Sequence, residues 1–132
     1  MTRKLSQDNK DIFSKKAFVH LATNMPDGSP QVSPVWVDLE GDQIVVNSAK
    51  GRLKDRNIRA NPHVALSVTD PDNPYRAVMV RGKVVKITEE GADAHIDKMA
   101  KKYLGLDKYP NRGPGEVRVL YYIEPERIAT MN

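Results

Sequence analysis

Short runs of Val, Ile, Leu and Ala, set between turns rich in Gly, Pro, Asp and Asn, recur along the chain with a period of two residues. AFVHLAT at 17–23 and HVALSVT at 63–69 are predicted strands, rich in β-branched residues and bounded by turn formers. Residues 31–39, QVSPVWVDL, place Val32, Pro34 and Trp36 on one face and Ser33, Val35 and Val37 on the other. Pro34 has no N–H to give to a ladder, which predicts a sheet edge or a bulge there. The Asp-Gly in NMPDGSP reverses the chain before this strand, and Glu40-Gly41-Asp42 predicts a tight hairpin into a strand at 43–47. Residues 76–88 read as a long strand in which Gly82 permits a bulge or bend. Further strands are predicted at 116–124 and 127–131.

Three stretches change period. Residues 6–14 read as a short helix capped by Ser6 and anchored by Ile12 and Phe13. Residues 91–103 carry Ala92, Ile96, Met99 and Tyr103 at spacings of 4, 3 and 4, one face of a helix against a core. Between the strands at 43–47 and 63–69, residues 50–60 read as a crossing helix with Ser48 at its N-cap. DPDNPY and GLDKYPNRGPG are predicted surface loops.

Antiparallel strands with flanking helices in 132 residues predict one domain over 1–132, mainly β, built as a small closed or split antiparallel barrel. Closure removes exposed sheet edges, and a barrel this small fills its interior with side chains, so a ligand would lie outside it. With no cysteine, disulfides, thiol catalysis and thiolate metal sites are excluded. The polar N-terminal stretch and the lack of a long apolar run predict a cytoplasmic protein with no signal peptide and no membrane segment.

The formal net charge of +4 is concentrated in NSAKGRLKDRNIRANP, residues 47–62, whose five Lys and Arg face one acid, Asp55. That locality points to an anion site more than to a general polyanion surface. On a helix at 100° per residue, Leu53 and Ile58 lie about 140° apart, with Lys50, Lys54 and Asn57 between them. Arg52, Arg56 and Arg59 fall on the opposite side. Lys54 either needs an anionic partner or snorkels to water from an amphipathic helix. The segment lacks the interleaved aromatics that stack on bases, so no nucleic-acid partner is expected.

Other chemistry is sparse. His20, His63 and His95 have no metal-ligand spacing and read as structural, so no metal site is predicted. Asp38, Glu40, Asp42, Asp70 and Asp72 read as turn acids, and no nucleophile or phosphate-loop motif occurs. No catalytic side chain is predicted, and an enzyme of this sequence would draw its reactivity from a cofactor. Trp36, the only tryptophan, reads either as core or as a wall for a planar ring.

AFVHLAT, the run from DGSPQVSPVWVDL to NPHVALSV, and the endings IDKMAKKYLGLDKYP and EVRVLYYIEPERI together resemble the split-barrel flavin and deazaflavin oxidoreductases related to pyridoxamine 5'-phosphate oxidase. The resemblance is closest to the branch that uses coenzyme F420. Its most specific part is Lys54-x-Arg56-Asn57-Ile58-Arg59-x-Asn61-Pro62, whereas the Ser-Arg-Lys-Gly run of the FMN enzymes is missing. The resemblance implies a homodimer with F420, or alternatively FMN, in a groove at the subunit interface. Ser33, Pro34, Val35 and Trp36 would lie along the ring, with Asn47, Ser48 and Ala49 near the ring or the start of the tail. Arg52, Lys54 and Asn57 would hold the phosphate region, and Arg76, Ala77, Val78 and Met79 would approach from the second long strand. The implied activity is hydride transfer from reduced F420 to an electron-poor double bond of an enone or quinone type of substrate. The alternatives are an FMN oxidase-type enzyme and a non-catalytic flavin binder.

Overall fold

A computed structural model describes residues 3–131. Among them are seven strands and three helices: α1 (Gln7–Ser14), β1 (Val19–Asn24), β2 (Pro30–Val35), β3 (Asp38–Glu40), β4 (Gln43–Ala49), α2 (Leu53–Ala60), β5 (His63–Asp70), β6 (Asn73–Thr88), α3 (Ala92–Leu104) and β7 (Arg118–Met131). The strands form one sheet in the order β2-β1-β5-β6-β7-β4-β3, antiparallel at every pairing. Its two edge strands, β2 and β3, are consecutive in the chain and joined only by Trp36 and Val37, with no ladder between them. This is a split barrel, as the strand pattern predicted.

The predicted strand at 31–39 is therefore two strands on opposite edges. Its break is held by α3: Val37 N donates to Tyr103 Oη at 3.1 Å, and Lys102 Nζ donates to Val37 O at 2.8 Å and Phe13 O at 2.6 Å. Val37's backbone groups are satisfied by helix side chains, so the chain can leave one edge and enter the other. Pro34 lies on an edge strand, as its missing N–H required.

The barrel interior is filled by one cluster that includes Leu21, Val37, Val46, Val119, Tyr121 and Ile123, with Phe13 of α1 and Ile58 of α2 packed into it. β4 is buried on both faces because α3 covers its outer side, where Ala92 meets Val45 and Leu120. Ser6 Oγ caps α1 by accepting from Asn9 N at 3.1 Å.

Three boundaries differ from the sequence reading. β7 runs unbroken through Pro125, because a register shift beside Gly82 absorbs the extra residue. A Cβ on Gly82 would sit 2.6 Å from Glu124 O, so the close approach of β6 and β7 there requires glycine. DPDNPY is not an open loop; β6 already begins at Asn73. Finally α2 starts at Leu53 with Arg52 as N-cap, while Ser48 lies in β4 opposite Val119. Gly51 turns the chain at φ 89°, and Asp55 reaches back from the first helical turn to accept Gly51 N at 2.9 Å.

Candidate functional site

The corner between the sheet edges opens into a cavity of about 220 Å³ outside the barrel core. Pro34, Val35 and Trp36 come to it from the end of β2, Asn47 and Ser48 from β4, and Arg52 and Lys54 from the start of α2. Arg118 of β7, Ile96 of α3, Phe18, Tyr109 and Asn111 complete the wall. Seven residues singled out from sequence thus converge in space.

Trp36 packs on α3 and also faces the cavity. Its ring stacks on Tyr103 at 5.1 Å with 4° between the planes, meets Tyr109 edge-on at 6.0 Å, and lines the cavity. The aromatic packing holds it rigid against α3, which makes it a fixed wall.

The electrostatics are cationic. Glu116 accepts from Arg52 Nη2 at 3.2 Å through one carboxylate oxygen and from Arg118 Nη1 at 3.2 Å through the other. Arg118 is buried, and its guanidinium also lies 5.3 Å over the Tyr109 ring. Lys54, half-buried between these arginines, has no hydrogen bond or ion pair among the described residues. Burial, and then the charges of Arg52 and Arg118, push its ammonium below the ordinary lysine range. A bound anion would offset the lost hydration of a half-buried cation beside two others.

Asn47 organises the far wall. Arg118 Nε, which can only donate, lies 2.9 Å from Asn47 Oδ1, and Asn47 Nδ2 donates to Ala92 O at 2.9 Å. Those two contacts fix the amide orientation. Nδ2 also lies 3.1 Å from His95 Nδ1, which must accept, so the neutral ring carries its proton on Nε2 and donates it to Asp38 Oδ2 at 3.1 Å. Asp38 is not a solvated turn acid; the His95 and Lys98 hydrogen bonds outweigh its burial and hold its carboxyl well below the usual range.

Other expected residues lie elsewhere. Asn57 is buried beside β1 and outside the cavity, where Nδ2 donates to Thr23 Oγ1 at 3.1 Å and contacts Met25 Sδ. Ser33 is opposite Leu21 and its hydroxyl is buried, and Ala49 is buried opposite Arg118. Arg76 binds Asp70 and the Asp8 carbonyl, while Ala77 and Val78 are buried. Met79 sits on the outer sheet face with His20 and Val32. Leu53, read as an apolar flank, is exposed. The arginine face divides: Arg59 pairs with buried Asp55 at 3.0 Å, whereas Arg52 precedes the helix, escapes its angular pattern and turns to the cavity.

Sequence reasoning missed Arg118, Tyr109, Asn111, Phe18 and Ile96. For Arg118 a signal existed, a lone arginine in the apolar run VRVLYYI, which needs partners once buried. The loop residues carried none.

Comparison with known proteins places the chain. Residues 5–132 match the model of the pyridoxamine 5'-phosphate oxidase family. The chain belongs to that family. An F420 reductase is similar over 95% of this chain and 98% of its own, at 35% identity and a TM-score of 0.82. A conserved hypothetical protein from Mycobacterium tuberculosis shares 20% identity over 99% of this chain and 86% of its own, with a TM-score of 0.75. General Stress Protein 26 from Bacillus anthracis shares 18% over 95% and 92%, with a TM-score of 0.68. The last two share the fold. No curated protein matches the chain. No helix among the described residues is long and apolar enough to cross a membrane.

Proposed function

We propose that this member of the pyridoxamine 5'-phosphate oxidase family is an F420-dependent reductase that works as a cytoplasmic homodimer, with residues 1–132 as one functional unit. The observation that carries the reading is Lys54, a half-buried cation with no hydrogen bond or ion pair among the described residues, in a cavity it shares with Arg52 and Arg118. F420 is a phosphodiester with a glutamate tail, and the three cations fit its anionic part. Reduced F420, when bound, supplies a hydride from C5 to an electron-poor double bond of an enone or quinone type of substrate. The chain's own residues bind, orient and exclude water: Lys54, Arg52 and Arg118 hold the anion, and Pro34, Val35 and Trp36 flank the ring. The likeness to an F420 reductase at 35% identity supports this choice of cofactor.

The cavity is smaller than pockets that enclose a whole small molecule, which run from about 300 Å³ upward. The ring and substrate must therefore extend beyond it. Pro34 lines the cavity and is also paired with His20 on the outer sheet face, where Val32 and Met79 form an apolar surface. A second copy seated on that face would lengthen the site, and Met79 would serve its partner's cofactor rather than its own chain's. FMN is the second reading, because the same cations fit its phosphate and the family takes its name from pyridoxamine 5'-phosphate oxidase.

Titrating the purified protein with F420 and with FMN, with sedimentation of the free and bound forms, tests both readings. F420 binding to a dimer, followed by oxidation of reduced F420 in the presence of enones or quinones, is expected. Binding of FMN alone overturns the F420 assignment.

A further inference from the structure

His95 does not line the cavity, yet it makes the contact that decides how the cavity's buried arginine is aimed. Asn47 has one way to satisfy all its neighbours: Oδ1 toward Arg118 Nε, and the two Nδ2 hydrogens toward Ala92 O and His95 Nδ1. With Nε held by Asn47 and Nη1 by Glu116, the guanidinium is fixed at two of its three nitrogens, and Nη2 has no protein partner among the described residues. We propose that His95 is a positioning residue for anion binding, acting through Asn47 to hold Arg118 with its free edge toward the bound anion. The inference deepens the cofactor reading by assigning roles in that site: Arg118 as a direct anion ligand, and Asn47 as its support, all of whose amide hydrogens are already spent within the protein.

The hydrogen-bond logic makes His95 specific. The position opposite Asn47 Nδ2 must be an acceptor, and the position opposite Asp38 must be a donor. A second proton on the ring would turn Nδ1 into a donor facing a donor. Asn47 would then either lose a bond or rotate its amide, which takes Oδ1 away from Arg118. The charged groups in the same hydrogen-bond chain are Asp38 of β3, bonded to Nε2, Lys98 of α3, bonded to the same carboxylate oxygen, and Arg118 of β7, bonded to Asn47. Anion affinity should therefore be weaker when His95 is cationic than when it is neutral.

Two substitutions separate this role from a merely structural one. In His95→Asn the side-chain oxygen can stand where Nδ1 stood, which keeps the acceptor for Asn47 and gives up the Asp38 bond. In His95→Gln the terminal amide can stand where Nε2 stood, which keeps the Asp38 bond and loses the acceptor. Binding is measured by calorimetry with pyrophosphate and, separately, with F420, and folding of each variant is checked by its melting temperature. The expected result is near wild-type pyrophosphate affinity in His95→Asn and a loss of about tenfold in His95→Gln, the scale of one disturbed hydrogen bond to a charged group. In an Arg118→Gln background the difference between the two variants should vanish. Nitrogen-15 spectra of the wild-type imidazole should show the proton on Nε2.

Equal affinities for the two variants, or the reverse order, overturn the inference, as does a ring protonated on Nδ1. Failure of wild-type protein to bind pyrophosphate overturns it together with the anion assignment of the cavity. Pyrophosphate binding with the expected order but no F420 binding supports His95 as positioning residue and overturns only the choice of cofactor.

Discussion

Replacing Lys54 with alanine removes the one cavity cation that has no partner among the described residues, so its effect should separate binding from folding. In the free protein Lys54 is half-buried, and burial with the adjacent charges of Arg52 and Arg118 disfavours its charged form. A bound phosphate oxygen would give it a charge-assisted hydrogen bond, a contact worth about 1.5–3 kcal/mol. The expected loss is therefore about 10- to 150-fold in Kd for F420 or pyrophosphate. Arg59 is the control. It lies on the other side of α2, is 42% exposed, and is already paired with Asp55 at 3.0 Å. Its screened charge should change Kd by less than about threefold, since interactions between solvent-exposed charges are largely screened beyond about 8–10 Å at moderate salt. Stability should move the opposite way. Lys54→Met keeps the packed stem and removes an unfavourably placed charge, so the free protein should melt no lower than wild type. Arg59→Ala takes a partner from a buried carboxylate and should melt lower. Calorimetric titration in buffers of different ionisation enthalpy adds a sign test. Because Lys54 is below its ordinary range when free and an anion favours its charged form, binding at alkaline pH should take up protons. Equal affinity losses for Lys54→Ala and Arg59→Ala would refute the reasoning and show that α2 acts only as a diffuse charge field.

Other consequences concern the frame that holds the site. Asp70 is buried and bonded by Lys15, by the Asp72 N–H and by Arg76, contacts that hold its pKa down to about 2 against a reference of 3.8. Its contribution to stability is full above the reference value and lost as pH falls through about 2, so Asp70→Asn should flatten the acid limb of a denaturation-versus-pH curve. Gly82→Ala would push a methyl into the Glu124 carbonyl, and chemical denaturation should show a loss of about 1–3 kcal/mol. In Tyr103→Phe, Ala17 O loses the donor at 2.7 Å and Val37 N the acceptor at 3.1 Å. The expected cost is about 1–3 kcal/mol, with a shift in Trp36 fluorescence because that ring stacks on Tyr103.

Much of the architecture is legible in residue types alone. Period-two runs of Val and Ile can bury one face only as strands, and Ala92, Ile96, Met99 and Tyr103 can share a face only on a helix. Gly82 announced the bulge where β6 and β7 approach, and Pro34 announced the edge. Lys54 stood out because an ammonium among apolar neighbours costs free energy in any fold. Such features are local: each follows from a dihedral preference, a missing N–H or a spacing of a few residues.

What lay beyond local reach was direction. A helical wheel assigns each residue an angle about the α2 axis but does not say which neighbour occupies that angle. Lys54 meets the arginine-lined cavity, while Asn57, 60° from it on the same buried side, meets Thr23. A wheel started at Lys50 puts Arg52 with the outer arginines, whereas Gly51 and Asp55 delay the helix to Leu53 and release Arg52 toward the cavity. The strand at 31–39 had a sound alternation throughout, and only the return of α3, with Tyr103 and Lys102 bonding Val37, decided that it must break and join two edges. Arg118, 71 residues from Asn47, becomes part of the site because β4 and β7 pair in register. The chain by itself thus determined the elements and singled out Lys54 among the basic residues of α2. The tertiary structure decided which faces meet, because long-range pairing sets contacts that no residue's own preferences contain.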